Sequence, residues 1–311
     1  MSARQSEMVR TTTEHFPFKV RLPISYTDYA MEQLTDPSLL ISYAVIFIPL
    51  ILGMIVSWPI YLRKFHKNLV HYGTSPFLPM ITYAYRSIKY NYPFMLIFSV
   101  LAYSTRSNPI IAPTTTNMAL AFAFANQWFS STYETLIGLF SIYKFMNSRQ
   151  PAELRGYFTR RSVAVLLYVI LLSVIAKDFG FIMWAVILFI SEPFPLEILG
   201  QLNFYYYISY ISFQMLLFIG MMSQFSMKTD AGNSHSDNQI ARQTKIIGTI
   251  KIILFALFLL GTVTGFMPVI VGTIFVSIDC FLVPIVIMLT EIMYSPNPIP
   301  VDEVKKEPLK V

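Results

Sequence analysis

Ionisable side chains set inside long apolar runs are where this chain is equipped to do something. A charge in hydrocarbon costs roughly 3 kcal/mol or more, so such residues face protein or water and mark working positions. Glu134 shares a helical face with Asn126 and Ser130 at spacings of four, with Gln127 and Ser131 alongside. That stripe must point inward, either as a ligand-contact or switch face or as interhelical hydrogen bonding that glues a bundle. Asp279 stands five residues before Pro284, whose missing N–H removes a helical hydrogen bond and kinks a helix. An acid above such a kink suits a polar ligand, a cation or a partner helix. Lys251 and Glu291 each lie about one turn inside the ends of their runs, and an ion pair between them would tie those ends together. Arg86 or Lys89 is placed to pair with Glu134 or, at lower cost, to snorkel to the headgroups.

Other chemistries find no support. The four histidines (His15, His66, His71 and His235) lie in tails or loops, so no intramembrane metal or haem site assembles from them. Cys280 is the single cysteine and fits a small apolar filler; no intrachain disulfide can form. No Asn-x-Ser/Thr sequon occurs. An enzyme would need His, Asp or Cys converging near one bilayer face, which the runs do not offer. The expectation is no enzyme, no cofactor and no metal.

The elements that must position these residues are seven long apolar runs. They are approximately 38–62, 88–104, 116–143, 162–189, 203–227, 246–266 and 272–294. About 20 apolar residues cross ~30 Å of hydrocarbon as a helix. Period-two alternation is missing, so closed-barrel strands are not the reading, and only helices or closed barrels satisfy every backbone group in lipid. The expected fold is an all-α membrane protein, a seven-transmembrane helix bundle. Its extracellular N-terminal tail is 1–37, the bundle 38–294 and the cytoplasmic tail 295–311. Connections after the first, third and fifth runs, with the C-terminal tail, hold 17 of the 23 Lys and Arg. That asymmetry puts the N-terminus outside and the C-terminus in the cytoplasm. Hydrophobic residues at 55% and charged residues at 13% agree with this class. The net charge of +6 is therefore aimed at membrane lipids rather than nucleic acid. Residues 1–37 are polar and show no cleavable signal peptide, so the first run serves as its own insertion signal.

Within this frame, the basic and amphipathic segment 76–89 is expected to lie along the inner surface before turning into the second span. The stretch 227–245 reads as the most polar connection, with 230–237 as loop. Lys177 and Asp178 interrupt the fourth run, which either continues past them or ends there. Phe204, Tyr205, Tyr206, Tyr207 and Tyr210 open the fifth span as an interfacial aromatic belt or as pocket lining. No internal repeat marks a transporter with inverted halves.

Seven spans in about 310 residues with short outer loops resemble, by layout, a G-protein-coupled receptor. Pro59-Ile-Tyr61-Leu-Arg-Lys64 is similar to the nematode serpentine chemoreceptors, most of all class Z, as is Phe77-Leu-Pro79-Met-Ile81 with Tyr85, Lys89 and Tyr92. So is Asp279-Cys-Phe-Leu-Val-Pro284-Ile-Val-Ile. The resemblance covers all seven spans. It implies chemosensation at the ciliary membrane of sensory neurons, a small-molecule ligand and signalling through a heterotrimeric G protein. The chain departs from rhodopsin-like receptors, since the third span ends Ser141-Ile-Tyr-Lys144 and no Asn-Pro-x-x-Tyr occurs. For such a receptor, depth and orientation nominate Phe122, Asn126, Tyr206, Tyr210 and Asp279 as pocket lining. Lys144, Arg149, Arg155, Arg242 and Lys245 are nominated for the G-protein face, with a solvated or lipid-facing basic loop as the alternative. A second class stays open: an ion- or proton-coupled transporter or ligand-gated channel using Glu134 or Asp279.

Overall fold

Apolar runs this long, free of alternation, fold as helices. The computed structural model describes residues 37–73, 75–149, 159–191, 196–226, 235–263 and 268–294. Seven helices are described: α1 Pro37–Tyr72, α2 Leu78–Ser104, α3 Ile111–Arg149, α4 Arg160–Ser191, α5 Leu196–Phe225, α6 His235–Val263 and α7 Pro268–Met293. No strand occurs among the described residues. The chain divides into two units, Met1–Ile46 and Phe47–Val311. Of the first, the described part is the opening of α1, which is helical from Pro37. Everything below concerns the second.

In that unit α3 is the axis: it packs against α2, α4, α5, α6 and α7. Every residue from Phe129 to Gly138 is buried, so this helix is enclosed on all sides over nearly three turns. The polarity of the enclosed stretch explains why α3 is not among the strongly apolar helices. Among the described residues, three segments are long and apolar enough to cross a membrane: Ala44–Leu69, Arg160–Trp184 and Tyr205–Phe225. Their apolar side chains point outward instead. Leu52, Ile55 and Val56 of α1, Val165, Val169 and Leu172 of α4, and Ile208, Met215 and Ile219 of α5 are all exposed. Apolar outside and polar inside is the arrangement a seven-transmembrane bundle requires.

Two small residues set how closely the axis is approached. A Cβ on Gly138 of α3 would lie 2.5 Å from the Leu216 carbonyl oxygen of α5, and one on Gly220 would lie 2.6 Å from that of Gly138. The two backbones therefore touch, as small residues allow when no hydrophobic force draws helices together in lipid. Gly248 of α6 is closed by a side chain, Met221, with its sulfur 2.7 Å from the site of a Cβ.

Proline interrupts α7 at Pro284, leaving the Cys280 carbonyl without its intrahelical donor. Tyr92 of α2 supplies one, its hydroxyl donating to that oxygen at 2.7 Å. Ser130 of α3 donates to the neighbouring Asp279 carbonyl at 3.0 Å. The weak point of α7 is thus fastened to α2 and α3 just where Asp279 leaves the backbone.

Two local expectations change and one open alternative is resolved. Segment 76–89 does not lie apart on a surface, because α2 runs unbroken from Leu78 and buries Met80, Ala84, Tyr85 and Ile88 against its neighbours. Pro79 at its start fits the first helical turn, where a missing N–H costs nothing. The connection before the sixth span is helical from His235, which adds nearly three turns to α6. The fourth helix continues through Lys177 and Asp178 to Ser191 because those two charges pair with each other.

Gly138→Val should destabilise the protein by about 1–3 kcal/mol through overpacking. Gly53→Ala, which meets nothing within 4 Å, should be neutral or stabilising by up to ~1 kcal/mol. Melting temperatures of the purified protein in detergent check the pair, and equal shifts would contradict the close approach of α3 and α5.

Candidate functional site

The stripe on α3 delivers Glu134 to a buried ionic centre. Lys251 of α6 places its ammonium 2.9 Å from Glu134 Oε1 and 3.1 Å from Oε2. The same ammonium bonds Asp279 Oδ2 of α7, and it donates to the Tyr210 hydroxyl of α5 at 3.2 Å. Gln214 of α5 donates to Glu134 Oε2 at 2.6 Å. Side-chain exposure is 0% for Lys251 and 1% for Glu134 and for Asp279, so the charges at which four helices meet are buried. Such charges persist in a bundle because the partners also satisfy each other's hydrogen bonds. At ordinary charges the three groups sum to −1. Among the described residues, Asp279 Oδ1 and Gln214 Oε1 have no hydrogen-bond partner.

The expected pairing of Lys251 with Glu291 is therefore corrected. Lys251 and Asp279 lie at the middle of their helices, level with Glu134, and Glu291 is twelve residues along α7 from Asp279. At 1.5 Å per residue that is about 18 Å, beyond the reach of one lysine. Glu134 takes Lys251 rather than Arg86 or Lys89. The Lys89 ammonium instead lies 5.0 Å from the ring centre of Tyr90 and 5.7 Å from that of Tyr85.

Glu291 anchors a second network, in which neutral side chains donate to its carboxylate. Asn68 of α1 donates to its Oε1 at 2.7 Å, and Gln239 of α6 to its Oε2 at 2.5 Å. The Tyr72 hydroxyl lies 2.7 Å from Oε2 and 2.6 Å from Gln239 Oε1. Further along α6, Gln243 accepts from Tyr133 of α3 at 2.6 Å and donates to Thr290 of α7 at 2.8 Å. Thr244 meets Ser141 of α3 at 3.0 Å, and Ser75 meets Ser236 at 2.9 Å. Lys64 donates to the Ile292 carbonyl at 2.6 Å, closing the end of α7. One face of α6 thus carries polar fastenings from Ser236 to Lys251. Sequence reading missed this face, although the spacing of Ser236, Gln239 and Gln243 at three and four residues was its visible signal.

A third cluster sits beside the centre, toward the opposite end. Lys177 and Asp178 of α4 pair at 2.9 Å, and Trp128 of α3 donates its indole N–H to Asp178 Oδ2 at 2.9 Å. The Lys177 ammonium lies 4.6, 5.7 and 5.9 Å from the ring centres of Tyr206, Tyr210 and Phe213.

Of the nominated pocket residues, Tyr210 and Asp279 meet through Lys251. Tyr206 stands over Lys177, and Asn126, fully buried, donates to the Met95 sulfur at 3.1 Å. Phe122 lies apart, stacked on Phe94 and Phe98 of α2. Of the nominated basic residues, Arg242 covers the Tyr294 ring at 3.9 Å, Lys245 faces Phe225 at 5.3 Å, and Arg149 lies 5.3 Å from Phe145. Lys144 is half-buried near the end of α3, and Arg155 lies outside the described residues.

With this geometry in hand, comparison with known families decides the class. The family model of the serpentine type 7TM GPCR chemoreceptor Srz matches residues 44–293. The chain belongs to the Srz family. Neither the curated proteins nor the solved structures contain a match to it. The matched stretch runs from α1 to the end of α7 and contains all three clusters. Srz is a chemoreceptor family and not an enzyme family, and its seven-transmembrane form makes this chain a membrane protein. The class Z resemblance read from the sequence agrees with the family match.

Removing the central cation should be severe. Lys251→Met leaves two buried carboxylates facing each other and should cost about 3–5 kcal/mol. The triple change Lys251→Met, Glu134→Gln, Asp279→Asn should recover most of that loss. Thermal unfolding of the detergent-solubilised Srz chain reads both, and a triple variant no better than the single one would argue against a mutual ionic centre.

Proposed function

We propose that this Srz chain is a chemosensory receptor that binds a small external molecule and signals through a heterotrimeric G protein. The observation that carries the reading is the ammonium of Lys251 held between α3 and α7 and touched by α5. Four helices balanced on one buried ammonium and its two acids form a natural two-state element, because a ligand that alters the balance favours a different packing of those helices. The excess of Lys and Arg assigns the end carrying Glu291, Gln239 and Arg242 to the cytoplasm, with the N-terminus outside. The protein then sits in the plasma membrane, in sensory cilia by resemblance.

In this reading Tyr206, Tyr210, Asn126 and Asp279 line or border the ligand side, with Phe122 supporting it from the α2 face. Glu134, Lys251 and Glu291 form the switch. Lys144, Arg149, Arg155, Arg242 and Lys245 present positive charge to the G protein and to anionic lipid. A ligand pulling on Tyr210 or Asp279 loosens Lys251, and α6 transmits the change to the Gln239–Glu291 fastening.

The second reading, an ion-coupled transporter or ligand-gated channel, has one observation in its favour. The centre carries one carboxylate more than it has cations, and intramembrane acids mark ion paths. Against it stands the direct pairing of both acids with Lys251.

Expression in cultured cells with promiscuous G-protein subunits tests the proposal against a panel of small metabolites. A response lost in Asp279→Asn and in Tyr206→Ala at unchanged surface level is the expected result. Glu291→Gln should raise ligand-independent signalling several-fold, since its fastening to α6 is weakened. Silence across the panel together with a ligand-gated current would replace the receptor with a channel.

A further inference from the structure

We propose that Asp178, Tyr206, Tyr210 and Phe213 form an ammonium-recognition site, that the chain's own Lys177 occupies it, and that the external ligand is a small amine whose ammonium takes Lys177's place. The inference rests on the receptor reading above and names the ligand class for it.

The cluster has the composition of a cation site. One carboxylate lies 2.9 Å from the ammonium, and three aromatic ring centres lie within 5.9 Å of it. Ring faces attract an ammonium through their quadrupole, most strongly where water is scarce. The carboxylate is held independently of its present occupant. Trp128 donates to Asp178 Oδ2 from another helix, while Lys177 takes Oδ1. Asp178 thus stays aimed when the lysine leaves.

Lys177 is poorly suited to be a permanent structural partner. Adjacent residues on a helix do not face each other, so its contact with Asp178 requires the stem to fold back across α4. Its side chain is 11% exposed against 4% for Asp178, which makes it the reachable member of the pair.

Charge decides between an amine and an acid. Exchange of one ammonium for another leaves the local charge unchanged, and its head group needs no empty cavity. A carboxylate ligand would have to take Lys177 from Asp178, leaving a buried acid unpaired. Tyr210 joins the two sites, since its ring centre lies 5.7 Å from the Lys177 ammonium and 5.4 Å from that of Lys251, which also donates to its hydroxyl. Replacement of the head group is therefore felt at the ionic centre through one side chain.

The test uses the full-length receptor in lipid nanodiscs with Trp58→Phe and Trp184→Phe, so that Trp128 alone reports. It is titrated with methylammonium, butylammonium and 2-phenylethylammonium, and with 2-phenylethanol and phenylacetate as controls. A saturable change with an ammonium and none with the alcohol or the acid is expected. Lys177→Ala removes the internal competitor and should tighten ammonium binding about tenfold, while Tyr206→Leu weakens it about tenfold. Asp178→Asn should abolish it, and Lys177→Ala with Asp178→Asn repeats that loss in a charge-balanced background should the single variant fold poorly. No ammonium binding in the parent or in Lys177→Ala overturns the proposal. So does phenylacetate binding that Lys177→Ala removes, which would make the lysine the recognition group. Ammonium binding without any signalling counts against the receptor reading alone, and signalling to non-amines without ammonium binding counts against this inference alone.

Discussion

A single ammonium with nowhere else to go organises the bundle. Lys251 is fully buried, and its charge is tolerable only because Glu134, Asp279 and Tyr210 surround it. That requirement fixes the level of α6 against α3 and α7 to within a fraction of a helical turn, since a slip of one turn moves every side chain about 5.4 Å. Apolar contacts cannot supply such a register in lipid, because a leucine gains little by touching another leucine instead of a lipid tail. Polarity at the axis and hydrocarbon at the rim are two sides of the same constraint.

Away from that centre the means of attachment changes. Toward the end carrying Glu291, α6 is fastened through hydrogen bonds from Ser236 to Ser75 between α1 and α2, and from Gln239, Gln243 and Thr244 to α1, α3 and α7. Those between neutral partners are each worth about 1 kcal/mol net, so they can be exchanged one by one. The Tyr92 bond to the carbonyl freed by Pro284 serves another end, holding the backbone that presents Asp279. A strong ionic hub with weaker spokes combines a defined resting packing with access to others.

How much of this was legible depended on whether the argument needed one helix or two. Spacing within α3 was enough to place Asn126, Ser130 and Glu134 on one inward face, because helical periodicity is a property of a single segment. The partner of Lys251 was not legible. A sequence does not state how far each helix projects beyond the membrane, and α6 begins at His235, well before its apolar run. Counting depth from the edge of that run put Lys251 near Glu291 instead of Asp279. The continuation of α4 past Lys177 and Asp178 was undecidable for the same reason: the rings around Lys177 come from α5 and the donor to Asp178 from α3. Seven spans and the Srz family were legible, since both are written in long, redundant patterns that survive errors of a turn.

Glycine at 138 and 220 carries a mechanical consequence. With backbone against backbone and no side chain between them, α3 and α5 have no compressible layer and behave as one strut. Tyr206, Tyr210 and Gln214 ride on the same rigid piece as Glu134 and Trp128. Helix α6 meets that piece through Gly248 and the unbranched thioether of Met221, a joint with bearing-like tolerance. Displacement imposed on the strut is therefore delivered undamped, and the compliance of the assembly lies at the α6 bearing.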